Sequence, residues 1–370
     1  MNLSYWEYKT WLTNIDFTIV GSGIVGLNCA LSLQRKYPKA KIMVLEKGIL
    51  PQGASTKNAG FACFGSISEI LSDLKQHTED EVAALVHKRW EGIQLMRKNL
   101  GDHNIDFQQH GGHELFLKNQ KNLFQNCLEQ IDYVNNLLRH IYGSNPFGPR
   151  KNEFGFNGIE DTYITNSFEA QIDTGKMMAH LVKLVKEKGI TILNAIAVVE
   201  FAENGNGVSV KTDHFEFRTK KLLIATNGFA SQLLNEPVKP ARAQVLITKP
   251  IKNLHIKGTF HLDEGYYYFR NIDDRILFGG GRNLDFQGEE TTIFGETKLI
   301  QNQLEVMLEE MILPHTEFEI DYRWSGIMGI GAQKSPILKQ VSSNVFCGVR
   351  LGGMGIAIGS LVGKELADLI

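Results

Sequence analysis

The chain has 370 residues, which is long for one simple core and predicts about two domains. Its 43% hydrophobic and 22% charged residues are ordinary for a globular enzyme, and a formal net charge of −2 excludes a general electrostatic attraction to nucleic acid. Four cysteines far apart in sequence predict neither a disulfide framework nor a zinc site, and the lack of a signal peptide or a membrane-length apolar run predicts a cytoplasmic protein.

The amino-terminal residues 1–14 predict a short helical arm. Its large aromatic side chains are Tyr5, Trp6, Tyr8 and Trp11. Clusters of aromatic residues are seldom left in solvent without a contact. We therefore expect these side chains to pack on the domain, with a partner surface as the alternative.

A glycine-rich turn between two apolar strands follows the arm. Residues 17–20 run into Gly-x-Gly-x-x-Gly, then a helical pattern, then a second strand that ends at Glu46. Gly21 allows the tight turn, Gly23 lets the backbone approach a pyrophosphate, and Gly26 lets the helix pack closely on the strand. Glu46 lies 20 residues after Gly26, where an acid accepts hydrogen bonds from ribose hydroxyls. This unit predicts a dinucleotide site, with candidate ligands Gly21, Ser22, Gly23, Ile24, Val25, Gly26, Glu46 and Lys47.

The next segment, residues 53–61, is small and polar, and its N–H groups could pass over a cofactor; an ordinary connecting loop is the alternative. Helical spacing of apolar residues then predicts helices within 67–100, 120–142, 174–188, 295–312 and 356–370. Alternation or short apolar runs predict strands within 105–117, 190–193, 197–201, 208–212, 215–217, 221–228, 245–248, 265–270, 275–281 and 345–349.

This order of elements predicts an α/β chain with a second domain of α+β type. Residues 1–75, 150–235 and 322–370 would form a Rossmann-like domain of parallel sheet plus helices. Residues 76–149 and 236–321 would form an inserted antiparallel β-sheet domain.

The chain resembles the D-amino acid oxidase, glycine oxidase and sarcosine oxidase group of flavoproteins over nearly its full length. The matching pieces, in the family's order, are the glycine turn, Glu46-Lys-Gly48, the 53–60 loop, residues 225–228 and Gly352-Gly-Met-Gly-Ile356. The resemblance implies that the Rossmann-like part is an FAD-binding domain and that the inserted part is a substrate domain. It also implies noncovalent FAD, because the flavin-tethering cysteine of sarcosine oxidases is missing near residues 327–332.

Transferred position by position, the resemblance implies further cofactor contacts. The loop residues beside the flavin would be Ala54, Ser55, Asn58, Ala59, Gly60 and Phe61. Val198 would meet the adenine, and Thr226 and Gly228 belong to the matching strand end. The segment along the pyrimidine edge would be Leu351, Gly352, Gly353, Met354, Gly355 and Ile356, where N–H groups opening the last helix would stabilise negative charge at N1 and O2.

The chemistry implied is oxidation of the C–N bond of a small amine or amino acid. A hydride would pass to flavin N5, and the imine product would hydrolyse, with oxygen or another acceptor taking the electrons. We expect no nucleic-acid or membrane partner. The alternatives are an FAD-dependent 2-hydroxy acid dehydrogenase passing electrons to a quinone, an amine-modifying flavoenzyme acting on tRNA, and a flavin-binding protein without catalysis.

The substrate positions of the family are not matched. Met328 stands where glycine oxidases carry an arginine after Trp-x-Gly, and Gly353 stands where they carry a second one. Leu277 and Gly281 stand where sarcosine oxidases use a lysine and a histidine. The sequence therefore does not say whether a substrate carboxylate is recognised.

The remaining catalytic candidates are Tyr266, Tyr268, Arg350 and Lys57. Strand alternation predicts that Tyr267 faces away from Tyr266 and Tyr268, although aromatic strand residues often belong to a core. Arg350 adjoins the flavin turn, Lys57 lies in the flavin loop, and either could offer a cation. Arg242 and Arg270 could also bind a carboxylate with a bidentate fork, but we expect them to make ion pairs. We expect His110, His113 and His261 to be structural.

Overall fold

The computed structural model describes residues 3–205 and 207–370. Its α-helices are α1 (Tyr5–Trp11), α2 (Ile24–Lys36), α3 (Ile67–Asp73), α4 (Glu79–Leu100), α5 (Asp102–Ile105), α6 (Lys121–Glu129), α7 (Ile131–Tyr142), α8 (Thr174–Glu187), α9 (Lys298–Met307) and α10 (Gly355–Asp368). Among the described residues, none of these helices combines the length and apolar character that a membrane crossing requires.

The strands form two large sheets and one small one. They are β1 (Ile15–Val20), β2 (Ile42–Leu45), β3 (Phe61–Ala62), β4 (Gly112–Glu114), β5 (Phe147–Lys151), β6 (Thr162–Asn166), β7 (Ala170–Gln171), β8 (Thr191–Leu193), β9 (Val198–Asn204), β10 (Gly207–Thr212), β11 (Glu216–Ile224), β12 (Lys239–Thr248), β13 (Thr259–Leu262), β14 (Tyr267–Ile272), β15 (Arg275–Gly280), β16 (Ile320–Ile330), β17 (Ile337–Ser342) and β18 (Val345–Val349).

The first sheet has the order β17-β18-β11-β1-β2-β8, with β10 and then β9 attached to β11. Strands β18, β11, β1, β2 and β8 run parallel. β1 and β2 are almost continuously buried because helices and strands cover both faces, as apolar runs in parallel sheets require. The predicted Rossmann-like parallel sheet is confirmed, and the β1–α2–β2 unit lies at its centre.

The second sheet has the order β16-β12-β15-β14-β13-β4-β6-β5. Its neighbours are antiparallel except for β13 and β4. One face packs on α9 around a core that includes the stacked rings of Phe260 and Phe269, 4.6 Å apart. The predicted second, largely antiparallel β-sheet is confirmed, and its other face is available to form a site.

The predicted division into two units remains a proposal, and the sheets and the cores cross its segment boundaries in three places. β5 and β6 join the second sheet although 150–235 was assigned to the first unit, and β16 does so although 322–370 was assigned there. In contrast, α4, α6 and α7, within 76–149, bury their apolar faces in the core that also holds α2 and α10. Apolar periodicity indicates that a face is buried but does not indicate against which neighbour, so these assignments required the tertiary structure.

Several element predictions also differ from the structure. The single helix predicted for 120–142 is two helices that meet at Gln130, and the separate strands predicted at 215–217 and 221–228 are one strand, β11. α9 continues as a π-helical turn, Leu308–Ile312. The prediction that the arm's aromatics pack on the domain is wrong, because α1 has no buried residue and Trp6 is 69% exposed.

Candidate active site

One cavity of about 1030 Å³ is lined by residues of both large sheets. Its volume is at the upper end of the range for ligand pockets. The glycine turn after β1, the loop before β3, the end of β11, the turn before α10 and the strands β13 and β14 all contribute. These segments lie far apart in sequence, so the fold brings most of the predicted site residues to one place.

The glycine turn has the geometry that a phosphate-binding turn requires. Gly21 has a φ of +104°, in the region that favours glycine, and a Cβ on Gly26 would lie 2.0 Å from the Gly21 carbonyl oxygen. Gly21, Gly23, Ile24 and Val25 line the cavity, whereas Gly26 does not. The N–H of Ile24, at the start of α2, donates to Ser55 Oγ at 2.9 Å. Gly26 thus acts by close packing, and the turn presents its backbone to the cavity.

Glu46 lies at the carboxyl end of β2, 7% exposed, and lines the cavity. Its carboxylate accepts hydrogen bonds from the Ser22 N–H at 3.1 Å, the Ser22 hydroxyl at 2.6 Å and the Gly48 N–H at 2.9 Å. A carboxylate has about four acceptor positions, so one remains for a ligand hydroxyl. Ser22 is fully buried and does not line the cavity, so it orients Glu46 from behind.

The loop before β3 is folded by Asn58. Its amide donates to the Ala54 and Ser55 carbonyls at 3.1 and 3.0 Å, and its Oδ1 accepts from the Gly60 N–H at 2.8 Å. All of the predicted loop residues line the cavity, namely Ala54, Ser55, Lys57, Asn58, Ala59, Gly60 and Phe61. Lys47, Val198 and Thr226 also line it. Gly228 does not line the cavity, because it packs against the backbone of Met328. A Cβ added to Gly228 would lie 2.6 Å from the Met328 carbonyl oxygen.

The carboxy-terminal turn also lines the cavity. The Leu351 N–H donates to Asn227 Oδ1 at 3.1 Å and the Gly352 N–H donates to the Gly329 carbonyl at 2.9 Å. The predicted residues all line the cavity, namely Leu351, Gly352, Gly353, Met354, Gly355 and Ile356. The first turn of α10 therefore points its positive dipole end into the cavity.

A row of directly paired residues crosses the second sheet and faces the same way. The pairs are Glu114 with His261, His261 with Tyr268, and Tyr268 with Gly279. The Tyr268 ring covers Gly279, where a Cβ would lie 2.7 Å away, and the Phe61 ring edge-contacts both His261 and Tyr268, with centroids 5.2 and 5.7 Å apart. Burial raises the pKa of Tyr268 to about 12, so its phenol stays protonated at neutral pH.

The three consecutive tyrosines divide between two environments. Tyr266 and Tyr268 line the cavity. Tyr267 is 6% exposed and belongs to the core of the second sheet, with its ring 6.3 Å from that of Phe278. Tyr267 therefore faces away from Tyr268, as strand alternation predicts, whereas Tyr266 precedes β14 and also packs against the core that holds Tyr267.

The structure places Arg350 away from the cavity. The residue has a φ of +64°, and its guanidinium donates to the Ser335 carbonyl from Nε at 3.2 Å and from Nη2 at 3.0 Å. It is not among the lining residues, so the geometry gives no support to a substrate-binding role. Lys57 does line the cavity, with its Nζ 5.0 Å from the centre of the Phe294 ring.

Three ionisable residues that are not among the predicted site residues also line the cavity: Glu69 and Arg89, which have no signal in the sequence, and His261, which was predicted to be structural. His261 Nε2 lies 3.6 Å from Glu169 Oε2. Burial alone would lower the pKa of His261, but the Glu169 carboxylate and two further glutamates raise it above its ordinary value. His113, in contrast, is a core residue that contacts Thr165 Oγ1 through Nδ1 at 2.8 Å. No local spacing separates the two histidines, which differ only in which face of the sheet they occupy.

Comparison with protein families identifies the class. A family model described as DAO, FAD-dependent oxidoreductase, matches residues 16–369. The chain belongs to the DAO family. It is an FAD-dependent oxidoreductase, as the resemblance implied.

Relatives and solved structures agree with this assignment. The chain is 22% identical to the probable oxidoreductase OrdL of Haemophilus influenzae, over 98% of this chain and 84% of that protein. It is 21% identical to the gamma-glutamylputrescine oxidoreductase of Escherichia coli, over 96% and 83%. The glycine oxidase of Bacillus cereus has the same fold, with a TM-score of 0.76 and 14% sequence identity over 96% of this chain and 94% of that one. The L-proline dehydrogenase of P. horikoshii also has this fold, with a TM-score of 0.75 and 17% sequence identity over 96% of this chain and 93% of that one.

The residues of this DAO-family chain fit FAD. The Gly21–Gly26 cradle leaves no space for a Cβ at Gly26 and would hold the pyrophosphate, and Glu46 keeps one acceptor position for the ribose. The loop residues 58–61 and the turn 351–356 line the same cavity and would contact the ring.

Proposed function

We propose that this FAD-dependent oxidoreductase oxidises the C–N bond of a small amine or amino acid to an imine, which then hydrolyses. We also propose that the first sheet with its helices binds the cofactor and that the second sheet forms the substrate side. Several relatives are named for such substrates, among them the glycine oxidase, the L-proline dehydrogenase and the gamma-glutamylputrescine oxidoreductase.

The observation that carries this proposal is the shared cavity. The same cavity is lined by the turn and acid expected for a dinucleotide and by Tyr266 and Tyr268, immediately before and within β14 of the second sheet. A substrate on the sheet side would therefore meet the cofactor directly. Proximity of this kind is the main requirement of hydride transfer, which needs little acid–base assistance once the amine is neutral.

Bound FAD supplies the hydride acceptor, and the chain supplies orientation, exclusion of water and electrostatics. The N–H groups at the start of α10 favour negative charge at their end of the cavity. The rings of Phe61 and Tyr268 form an apolar wall that keeps the reacting amine out of bulk water. The Tyr268 hydroxyl, protonated at neutral pH, can donate a hydrogen bond to the substrate.

An anaerobic titration tests the proposal. The purified protein is expected to be yellow, and its flavin absorbance is expected to bleach when a panel of small amines and amino acids is added without air. Readmission of oxygen then tells an oxidase from an enzyme that needs another acceptor. If only 2-hydroxy acids bleach the flavin, the protein is a 2-hydroxy acid dehydrogenase and not an amine-oxidising enzyme. If no substrate reduces the flavin, the proposed catalytic function is contradicted.

The two neighbouring tyrosines offer a matched test of the substrate face. Tyr268→Phe is expected to lower kcat/KM about tenfold, because it removes one hydrogen bond to the substrate without changing the ring. Tyr267→Phe alters a side chain in the core on the opposite face and is expected to leave kcat/KM within about twofold. Steady-state kinetics with any substrate that bleaches the flavin decide the question, and equal effects of the two variants would contradict the assignment.

A further inference from the structure

We infer that Arg89, on helix α4, binds the carboxylate of the substrate, so that this enzyme takes amino acids or other amino carboxylates in preference to simple amines. The inference rests on the proposed function, because it assigns a substrate class to the same cavity. It gives a carboxylate receptor to a chain that has Met328 and Gly353 at the positions where glycine oxidases carry arginines.

Arg89 is buried and yet lines the cavity. The residue is 4% exposed, and its Nη1 donates to the Phe64 carbonyl at 2.6 Å. Gly65 has a φ of +120°, and a Cβ there would lie 2.8 Å from Arg89 Nη1. Only a glycine at this position lets the guanidinium pack against the backbone, so the chain is shaped locally to admit the group.

The guanidinium makes no direct ion pair among the described residues. Within residues 3–205 and 207–370, no ion pair shorter than 4.0 Å involves Arg89, and its Nε has no acceptor. One neutral carbonyl does not compensate a buried cation that has five donors. A carboxylate held by two parallel N–H···O bonds would do so, and this geometry is the one that arginine favours.

The carboxylates at this end of the cavity already have donors. Glu169 accepts from the Phe64 N–H at 2.8 Å and lies beside His261, while Glu69 accepts from the Ser66 N–H at 3.0 Å. Glu169 and Arg89 are thus held by the N–H and the carbonyl of the same residue, Phe64, and do not form a direct pair. Arg89 Nη1 and Glu69 Oε2 lie 2.8 and 3.9 Å from the position of a Cβ on Gly65, but the two groups do not form a direct ion pair. The Nε of Arg89 therefore remains open to a carboxylate ligand.

The other arginines considered from the sequence are occupied. Arg242 makes a two-bond pair with Glu289, Arg270 donates to the carbonyls of Gly60 and Ile172, and Arg350 donates to Ser335 outside the cavity. None of these three guanidiniums is free to receive a ligand in the cavity.

The position of Arg89 relative to the proposed flavin segment also suits a substrate group. Cys63, directly before Phe64, has its Sγ 3.7 Å from the Sδ of Met354 in the carboxy-terminal turn. The Arg89 end of the cavity therefore adjoins the 351–356 segment. Two other cations line the cavity, but each contacts an exposed ring of the connection between β15 and α9. Arg282 lies over Phe286 and Lys57 over Phe294, so we place both cations at the mouth of the cavity.

Calorimetric titration of the holoenzyme with benzoate and with its neutral amide, benzamide, tests the inference without turnover. The wild type is expected to bind benzoate about 10- to 100-fold more tightly than benzamide, the range for hydrogen bonds to a charged group. Arg89→Met is expected to abolish that preference, and Arg89→Lys to keep a reduced one because the charge remains without the fork. Arg97→Met, on the same helix and paired with Asp102 outside the cavity, is the control and is expected to match the wild type.

A wild type without benzoate preference, or an Arg89→Met variant that keeps it, would overturn the inference. If Arg89→Met does not fold, Arg89→Lys serves as the test, because a Lys variant with the full wild-type preference for benzoate over benzamide would also contradict the inference. The anaerobic panel separates this outcome from failure of the proposed function. If amines and the corresponding amino acids reduce the flavin equally well, C–N oxidation is supported and the role of Arg89 is contradicted. If Arg89→Met loses the preference for benzoate but no amine or amino acid reduces the flavin, the role of Arg89 is supported and C–N oxidation is contradicted.

Discussion

Replacing Gly26 by alanine is expected to weaken the binding of FAD to this enzyme. The new methyl group would lie 2.0 Å from the carbonyl oxygen of Gly21 and 3.1 Å from Ile19 Cγ2. A contact of 2.0 Å with a backbone atom cannot be relieved by a side-chain rotation, so either α2 moves away from β1 or the turn changes its path. Both responses displace the N–H groups that face the cavity.

The expected magnitude follows from the cost of overpacking, about 1–3 kcal/mol. Since the strain falls on the turn itself, FAD affinity is expected to fall about 10- to 100-fold, measured by quenching of flavin fluorescence on addition to apoprotein. Unfolding of the apoprotein in urea shows how much of the effect is general destabilisation. A Gly26→Ala protein that purifies yellow with wild-type affinity would contradict the role of this turn.

Gly148 provides the control for that experiment. It lies in β5, outside the cavity, and a Cβ there would meet no atom within 4 Å. Gly148→Ala is therefore expected to leave FAD affinity unchanged, which shows that the loss in Gly26→Ala comes from the contact and not from removing a glycine.

The parts of the site that could be predicted from sequence are those whose chemistry is local along the chain. The turn around Gly21 and Gly26 and the acid Glu46 sit at fixed spacings within one β1–α2–β2 unit, so their pattern is readable without the fold. Alternation along one strand likewise placed Tyr267 opposite Tyr268.

The parts that could not be predicted depend on register and packing. His261 faces the cavity because β13 pairs it with Tyr268, and Arg89 does so because α4 packs in the same core as α10; neither has a signature in its own segment. The position of Arg350 also depends on the backbone and not on sequence distance. It adjoins the glycine turn in sequence, but its left-handed backbone sends the side chain to Ser335.

Loss of the Glu289 carboxylate is expected to be the most destabilising change at the mouth of the cavity. Glu289 is fully buried and accepts from Arg242 Nε at 2.9 Å, Arg242 Nη2 at 2.7 Å and Gln244 Nε2 at 3.0 Å. It lies in the connection between β15 and α9, whose Ile293 and Phe294 line the cavity. The hydrogen bonds that Arg242 donates to Glu289 raise the pKa of Arg242, so the guanidinium stays charged over the working pH range.

Glu289→Ala is expected to lower the free energy of unfolding by about 3 kcal/mol, because it leaves the largely covered Arg242 cation, 11% exposed, without its partner. The same change frees the Ile293 and Phe294 segment, so KM is expected to rise more than kcat falls. Urea unfolding and steady-state kinetics on one preparation measure both quantities.

Two further variants separate the mechanism from simple loss of an acid. Glu290→Ala removes the neighbouring carboxylate, which pairs with Lys239 at 3.0 Å at the surface, and is expected to cost less than about 1 kcal/mol. The double variant Arg242→Met with Glu289→Met removes both charges and is expected to regain most of the stability lost in Glu289→Ala, because two buried apolar side chains leave no charge uncompensated. A double variant as unstable as Glu289→Ala would mean that the segment depends on the hydrogen-bond geometry of Glu289 itself, through Gln244 as well as Arg242, and not on charge balance.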